Sequence, residues 1–175
     1  MPVDDERSIQ TNSELDQHFL SNPVKLALLV EGARIQPTDH VVEVGAGIGT
    51  VAEHVPVCER LTAIEYDGNL ISHLQKRVPR AHVIQGDALR ILPTMRCDVL
   101  LSNLPWRLTP SLVGLLPSLD FRVALVTVSS IDKLVSLKGA FMLESVTVFE
   151  PDDFWPQQGG RAVVVRITRG QVSAD

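Results

Sequence analysis

Cysteine is scarce in this sequence. Only Cys58 and Cys97 occur among 175 residues. They stand far apart, in no metal-ligand spacing, each beside apolar residues. They read as buried small hydrophobes in a reducing compartment rather than as a disulfide or a zinc site. Long apolar runs are also missing. No stretch reaches the roughly 20 residues that cross a bilayer as a helix. The polar start, with Asp4, Asp5 and Glu6, lacks the basic-then-apolar order of a secretory leader. These absences predict a cytoplasmic protein. Positive charge is short as well, with 16 Lys and Arg against 21 Asp and Glu, a net charge of -5. That balance argues against a broad phosphate-binding face. No internal repeat, low-complexity tract or linker interrupts the chain. It reads as a flexible arm over residues 1–13 followed by a single domain over 14–175.

What the sequence does have is a concentrated glycine turn. Val41-Val42-Glu43-Val44 is an apolar run of the kind that forms a buried parallel strand. It leads into Gly45-Ala46-Gly47-Ile48-Gly49, with glycine at every second position. Glycine permits positive φ and lets a ligand approach the main chain. A helix beginning near Gly49 points free N–H groups back at the turn. The stretch predicts a nucleotide-like ligand at the carboxyl end of a first strand. The spacing is G-x-G-x-G, which differs from the G-x-G-x-x-G of nicotinamide dehydrogenases.

A repeated strand–helix rhythm surrounds this turn. Ser21 or Asn22 caps a first helix, Pro23 fits its first turn, and Gly32 ends it; Val24, Ala27, Leu28 and Ile35 are expected on its apolar side. Strands are predicted at His40–Val44, Leu61–Tyr66, His82–Gln85, Asp98–Leu101 and Val123–Val128. Helices are expected at Thr50 to about Val55, Asn69–Val78, Pro110–Leu116 and Ile131–Leu137. Two further strands, Phe141–Phe149 and Ala162–Thr168, are separated only by a loop and should pair antiparallel. The pattern predicts an α/β fold, a doubly wound and mostly parallel sheet with helices on both faces.

Three strand ends carry chemistry. Glu65, about twenty residues beyond the glycines, can accept both hydroxyls of a ribose, and Tyr66 beside it offers a flat face for a base. Asp87, in Gln85-Gly86-Asp87-Ala88, can accept from an exocyclic amino group or cap the short helix from Ala88 to Leu92. Asn103-Leu104-Pro105-Trp106 is the most specific. The Asn103 side-chain carbonyl and the Leu104 main-chain carbonyl, followed by a proline that cannot donate, can accept both hydrogens of a planar amino group. Trp106 offers a stacking face for an unstacked base.

In these residues the chain resembles the S-adenosylmethionine-dependent rRNA adenine N6-dimethyltransferases, which include the small-subunit dimethylases and macrolide-resistance methylases. The resemblance covers about Asp16 to Leu116 well. It implies a Rossmann-like class I methyltransferase fold with seven strands, the last antiparallel. It implies S-adenosyl-L-methionine as cofactor, no metal, and cofactor contacts from Gln17, His18 and Leu20 of Gln-His-Phe-Leu. Further contacts are implied from Glu43, Gly45, Ala46, Gly47 and Gly49 around the methionine part, from Glu65 at the ribose with Tyr66 beside it, from Asp87 and Ala88 at the adenine, and from Asn103. Asn103, Leu104, Pro105 and Trp106 match the catalytic motif.

The sequence departs from the family in places that bear on the acceptor. Trp106 replaces Tyr or Phe, and the segment after it is one residue shorter. Val128-Ser129-Ser130 stands for Gln-Lys-Glu. The proline-rich loop is reduced to Phe154-Trp155-Pro156, with Gln158, Gly160 and Ala162 at positions where Pro, Val and Ser are usual. No counterpart of the small helical C-terminal domain is found, and the family is typically basic. Two acceptors stay open at this stage: adenine N6 in RNA, and a small molecule or protein side chain bearing a planar nitrogen. Arg107, Lys133, Lys138 and Arg161 are the candidate RNA contacts. A cofactor-binding protein without catalysis is disfavoured by the intact Asn103–Trp106 motif.

Overall fold

The computed structural model describes residues 9–170. Its elements in chain order are β1 (Phe19–Leu20), α1 (Pro23–Ala33), β2 (His40–Val44), α2 (Thr50–His54), β3 (Arg60–Glu65), α3 (Gly68–Arg77) and β4 (His82–Gln85). There follow α4 (Ala88–Ile91), β5 (Val99–Ser102), α5 (Thr109–Leu115), β6 (Val123–Val128), β7 (Phe141–Phe149), β8 (Phe154–Trp155) and β9 (Ala162–Arg169). Seven strands form one sheet in the order β4-β3-β2-β5-β6-β9-β7. β2 to β6 are parallel, and β9 runs antiparallel between β6 and β7. The strand order turns back between β2 and β5, which is where such sheets open a ligand crevice.

The parallel strands are apolar on both faces because both faces are covered. On one side Val41, Ala63, Leu101, Leu125 and Val164 meet α1, α2 and α3 through Leu26, Leu29, Val51 and Leu74. On the other, Val42, Val44, Ile64, Leu100 and Val126 meet α4 and α5 through Ala88, Leu112 and Val113. Helix starts follow side-chain chemistry. Asn22, Asp67 and Asp87 each cap a helix by accepting a main-chain N–H two residues on.

Three expectations are corrected. α1 buries Leu26, Leu29, Val30 and Ala33. Val24 is 65% exposed, and Ala27 and Leu28 also face outward. The helix is apolar nearly all round, so its periodicity does not phase it; the sheet does. The helix expected at Ile131–Leu137 is present with those bounds, as a 3-10 helix. Finally, the loop between β7 and β9 contains β8, which pairs with β1 through Phe19 opposite Trp155 and Leu20 opposite Phe154. Of the two cysteines expected to be buried, Cys97 is, but Cys58 is only half-buried. The expected arm over 1–13 lies mostly outside the described residues. Its end is fixed, because the Asn12 side chain caps the turn Ser13–Leu15.

The segment around β1 is tied down twice. The main-chain N–H groups of Ser21 and Asn22 donate to the Asp153 carbonyl. The buried Asp153 carboxylate accepts from Asn22 Nδ2 at 2.5 Å and from the Glu150 N–H at 2.8 Å. The chain between β1 and α1 is thereby held to the turn that follows β7.

Candidate active site

A cavity of about 350 Å³ opens at the carboxyl ends of the parallel strands. Its walls come from the segment Leu15–Leu20, the turn after β2, the ends of β3 and β4, and the turn after β5. The structure brings Gln17, His18, Leu20, Glu43, Gly45, Ala46, Gly47, Glu65, Tyr66, Asp87, Ala88, Asn103, Leu104 and Pro105 together there.

Two predicted residues stand elsewhere. Gly49 begins α2 at φ 87°, and a β-carbon on it would lie 2.9 Å from Leu74 and Val78. Its role is to let α3 pack closely. Trp106 is half-buried against the main core, with its indole edge toward Gly160. It lies outside the cavity wall, although Arg107 and Leu108 of the same 3-10 turn line it.

The glycine turn is shaped by side chains that the turn itself admits. Gly45 and Gly47 have φ of 69° and 56°. A β-carbon on Gly45 would meet Leu104 at 2.7 Å, and one on Gly47 would meet Phe19 at 2.9 Å. The glycines therefore give room to Phe19 and Leu104, which bring the first segment and the β5 turn onto the same floor.

The two acids beneath that floor differ in their hydrogen-bond partners. Glu65 accepts from the Gly47 N–H and the Asp67 N–H, each at 2.7 Å. Burial raises its carboxyl above the usual range, against those main-chain donors. Glu43 is 3% exposed and its Oε2 has no hydrogen-bond partner. Burial, with the charge of Glu65 nearby, pushes its carboxyl up to about 8. A buried carboxyl with an unused oxygen in a cavity wall is suited to a cationic group brought by a ligand.

Gln17 spans the entrance. Its Nε2 donates to Asp67 Oδ2 at 2.8 Å, and its Oε1 accepts from the Asn12 N–H at 2.8 Å. His18 Nδ1 donates to the Pro156 carbonyl at 2.9 Å. Tyr66 stands at the rim, 64% exposed. Asp87 both caps α4 and reaches the cavity. Asn103 is half-buried in the wall and its side chain makes no hydrogen bond among the described residues. The turn's own hydrogen bond runs from the Leu108 N–H to the Pro105 carbonyl at 2.8 Å, which leaves the Leu104 carbonyl out of it.

Of the candidate RNA contacts, Arg107 alone reaches the cavity wall, where it also donates to the Glu14 carbonyl at 3.4 Å. Arg161 pairs with Glu150 at 2.7 Å. Lys133 and Lys138 lie exposed on and just after the Ile131–Leu137 turn. Sequence reasoning passed over Asp67, whose place before Gly68-Asn69 marks a helix cap, and Phe19, whose only signal was its place between His18 and Leu20.

A family model for ribosomal RNA adenine dimethylases matches residues 8–114. The ribosomal RNA small subunit methyltransferase A of Thermobifida fusca is 31% identical over 146 residues, 75% of this chain and 51% of the relative. The dimethyladenosine transferase of Kluyveromyces lactis is 32% identical over 123 residues, 63% of this chain and 38% of the relative. The chain thus spans about half of these relatives' length or less. Among solved structures, a dimethyladenosine transferase from Plasmodium falciparum superposes with a TM-score of 0.80 at 22% identity, covering 87% of this chain and 64% of that one. The 23S rRNA methyltransferase ErmE gives 0.76 at 19% identity, covering 87% and 70%. The fold is the Rossmann-like methyltransferase fold.

Proposed function

Because this chain belongs to the ribosomal RNA adenine dimethylase family, we propose that it methylates N6 of adenine in RNA with S-adenosyl-L-methionine as donor. The observation that carries this reading is the unengaged Asn103 side chain in the same cavity as Glu43, Glu65 and Asp87. The site's residues fit the donor. Glu43 Oε2 is a buried acceptor without a partner, which would hold the donor's ammonium group. Glu65 is held by main-chain N–H groups and keeps lone pairs for ribose hydroxyls. Asp87 can take an adenine amino group. Gln17 and Asp67 hold the first segment over that position.

The donor supplies a methyl group already activated by its positive sulfur. The protein's task is then positioning and electrostatics. Asn103 Oδ1 and the Leu104 carbonyl accept the two hydrogens of the acceptor's amino group, which aims its lone pair. Leu104, seated on Gly45, fixes that turn relative to the donor's cradle. Trp106 anchors the turn on the core. Arg107 gives the cavity a positive group for a nucleotide's phosphate amid four acids.

The test is incubation with labelled S-adenosylmethionine and, separately, deproteinised ribosomal RNA and ribosomal subunits. Label recovered as N6-methylated adenine is the expected result. A protein that binds the donor but labels no RNA would overturn the reading. Asn103→Ala is expected to keep donor affinity and lose turnover.

A further inference from the structure

A second cavity, of about 580 Å³, lies at the other end of the sheet. It is bounded by Arg34 just after α1, by the chain entering β6, by the first residues of β7 and by the last of β9. The donor cavity opens at the carboxyl ends of the parallel strands, and this one at the amino end of β6. The length of such a strand separates the two ends by roughly 17 Å. Four arginines line the second cavity, Arg34, Arg122, Arg166 and Arg169, and Glu144 is the one acid among the described residues of its lining. In a chain of net charge -5 this is a local excess of positive charge.

Three of the four are held in place. Arg166 is 9% exposed, pairs with Glu144 and reaches the Gly32 carbonyl at 3.5 Å. Arg122 pairs with the buried Asp39 at 2.5 Å and donates to the Arg34 carbonyl at 3.4 Å. Arg169 donates to the Leu119 carbonyl at 2.6 Å, and its guanidinium lies 5.7 and 5.4 Å from the ring centres of Phe121 and Phe141. Carbonyls and ring faces fix a guanidinium without neutralising it. Asp120, next to Phe121, pairs instead with Arg96 at 3.5 Å. Asp39 and Glu144 are thus two carboxylates against four cations.

Arg34 is the fourth. It is exposed and its side chain makes no hydrogen bond or ion pair among the described residues. It closes α1 at φ 50°, a left-handed conformation that glycine or asparagine takes at less cost. Arginine there gives up backbone ease and puts a charge on the cavity rim.

We infer that this cavity is a second RNA contact, a phosphate site that holds the backbone of a folded RNA while the adenine occupies the donor cavity. Guanidinium groups already fixed in position, with N–H groups to spare, match phosphate oxygens in charge and in planar geometry. The inference rests on RNA being the acceptor, and it narrows that reading. A short strand centred on the adenine does not reach the far end of the sheet, whereas structured RNA presents its backbone on several sides.

The test uses Arg34→Asn, which removes the charge and suits the left-handed backbone, and Arg34→Lys, which keeps the charge. Lys76→Gln, on α3 at the opposite edge of the sheet, is the control for lost charge alone. Binding to deproteinised ribosomal RNA is measured by filter retention over a range of salt. Arg34→Asn should bind about fivefold more weakly, with a salt slope lower by about one. Its melting temperature should hold or rise and its donor affinity should stay the same. Arg34→Lys and Lys76→Gln should remain within about twofold of the original. Undiminished RNA affinity in Arg34→Asn, or an equal loss in Lys76→Gln, would overturn the site. So would polyglutamate binding that needs Arg34 while RNA binding does not, which assigns the cavity to an acidic protein. If the unaltered protein neither binds nor labels ribosomal RNA, the reaction reading fails instead, and inorganic phosphate decides the cavity. In 15N-labelled protein, phosphate should shift the Arg34 and Arg122 amide resonances, and Arg34→Asn should abolish the Arg122 shift; resonances indifferent to phosphate exclude the site.

Discussion

The Leu104 side chain occupies the space that a β-carbon on Gly45 would need, with Leu104 Cδ2 only 2.7 Å from that position. The donor cradle and the acceptor turn are therefore in van der Waals contact through a missing side chain. Gly45→Ala should push Leu104, and Asn103 with it, out of place. It also puts alanine at φ 69°, which costs about 1–2 kcal/mol. Urea unfolding and turnover should both fall. Gly114→Ala, in α5 with nothing within 4 Å of the added carbon, should instead gain about 0.5–1 kcal/mol.

Glu43 sets a pH dependence. Its carboxyl is raised from 4.5 to about 8, so between those values the folded chain holds a proton that the unfolded chain has lost. The stability from this group is fully present below about 4.5 and is lost as pH rises through about 8. Glu43→Gln removes the titrating group. Its melting temperature relative to the parent should rise from pH 5 to pH 8, in buffers of matched ionic strength. Donor affinity should run the opposite way, strengthening toward pH 8 as Glu43 ionises against the incoming cation; calorimetry across that range checks it.

Asp153 acts at a distance. It holds Asn22 and Glu150, and its carbonyl holds the chain between β1 and α1. Asp153→Ala should lower stability by about 1–2 kcal/mol by leaving partly buried donors unpaired. It should also weaken donor binding, because the segment bearing Gln17 and Phe19 loosens, although Asp153 is not in the cavity wall. Equal donor affinity in the variant would contradict this linkage.

Arg107 separates the two ligands. Arg107→Ala should raise KM for RNA and flatten its salt dependence, leaving donor affinity as it was. A change in donor affinity of the same size would place the guanidinium at the donor rather than at the RNA.

Much of this was legible in the chain because parallel strands and helices leave local marks. Val41–Gly49 reads as strand and turn from its own residues, and the acids at the ends of β3 and β4 follow from spacing. The phase of α1 was not legible, since Val24, Ala27 and Leu28 are as apolar as the residues that the sheet buries. The pairing of β1 with β8 rests on two residues from each side, far apart in sequence, so no local pattern announces it. Trp106 carries an aromatic signal, but only the backbone turn and Gly160 decide which way it faces.

The insertion of β9 between β6 and β7 has a consequence for how the chain assembles. During synthesis the N-terminal strands emerge first. β2 to β6 can pair as they appear, but the outer edge of β6 has no partner until Ala162–Arg169 follows. β7 is made earlier, yet it joins the sheet only through β9. Until then the nascent chain presents an unpaired apolar edge at Val123–Val128, the kind of edge that invites aggregation. The late strand is thus the keystone of assembly, and lengthening the stretch between Phe149 and Ala162 should delay the moment at which the sheet becomes continuous.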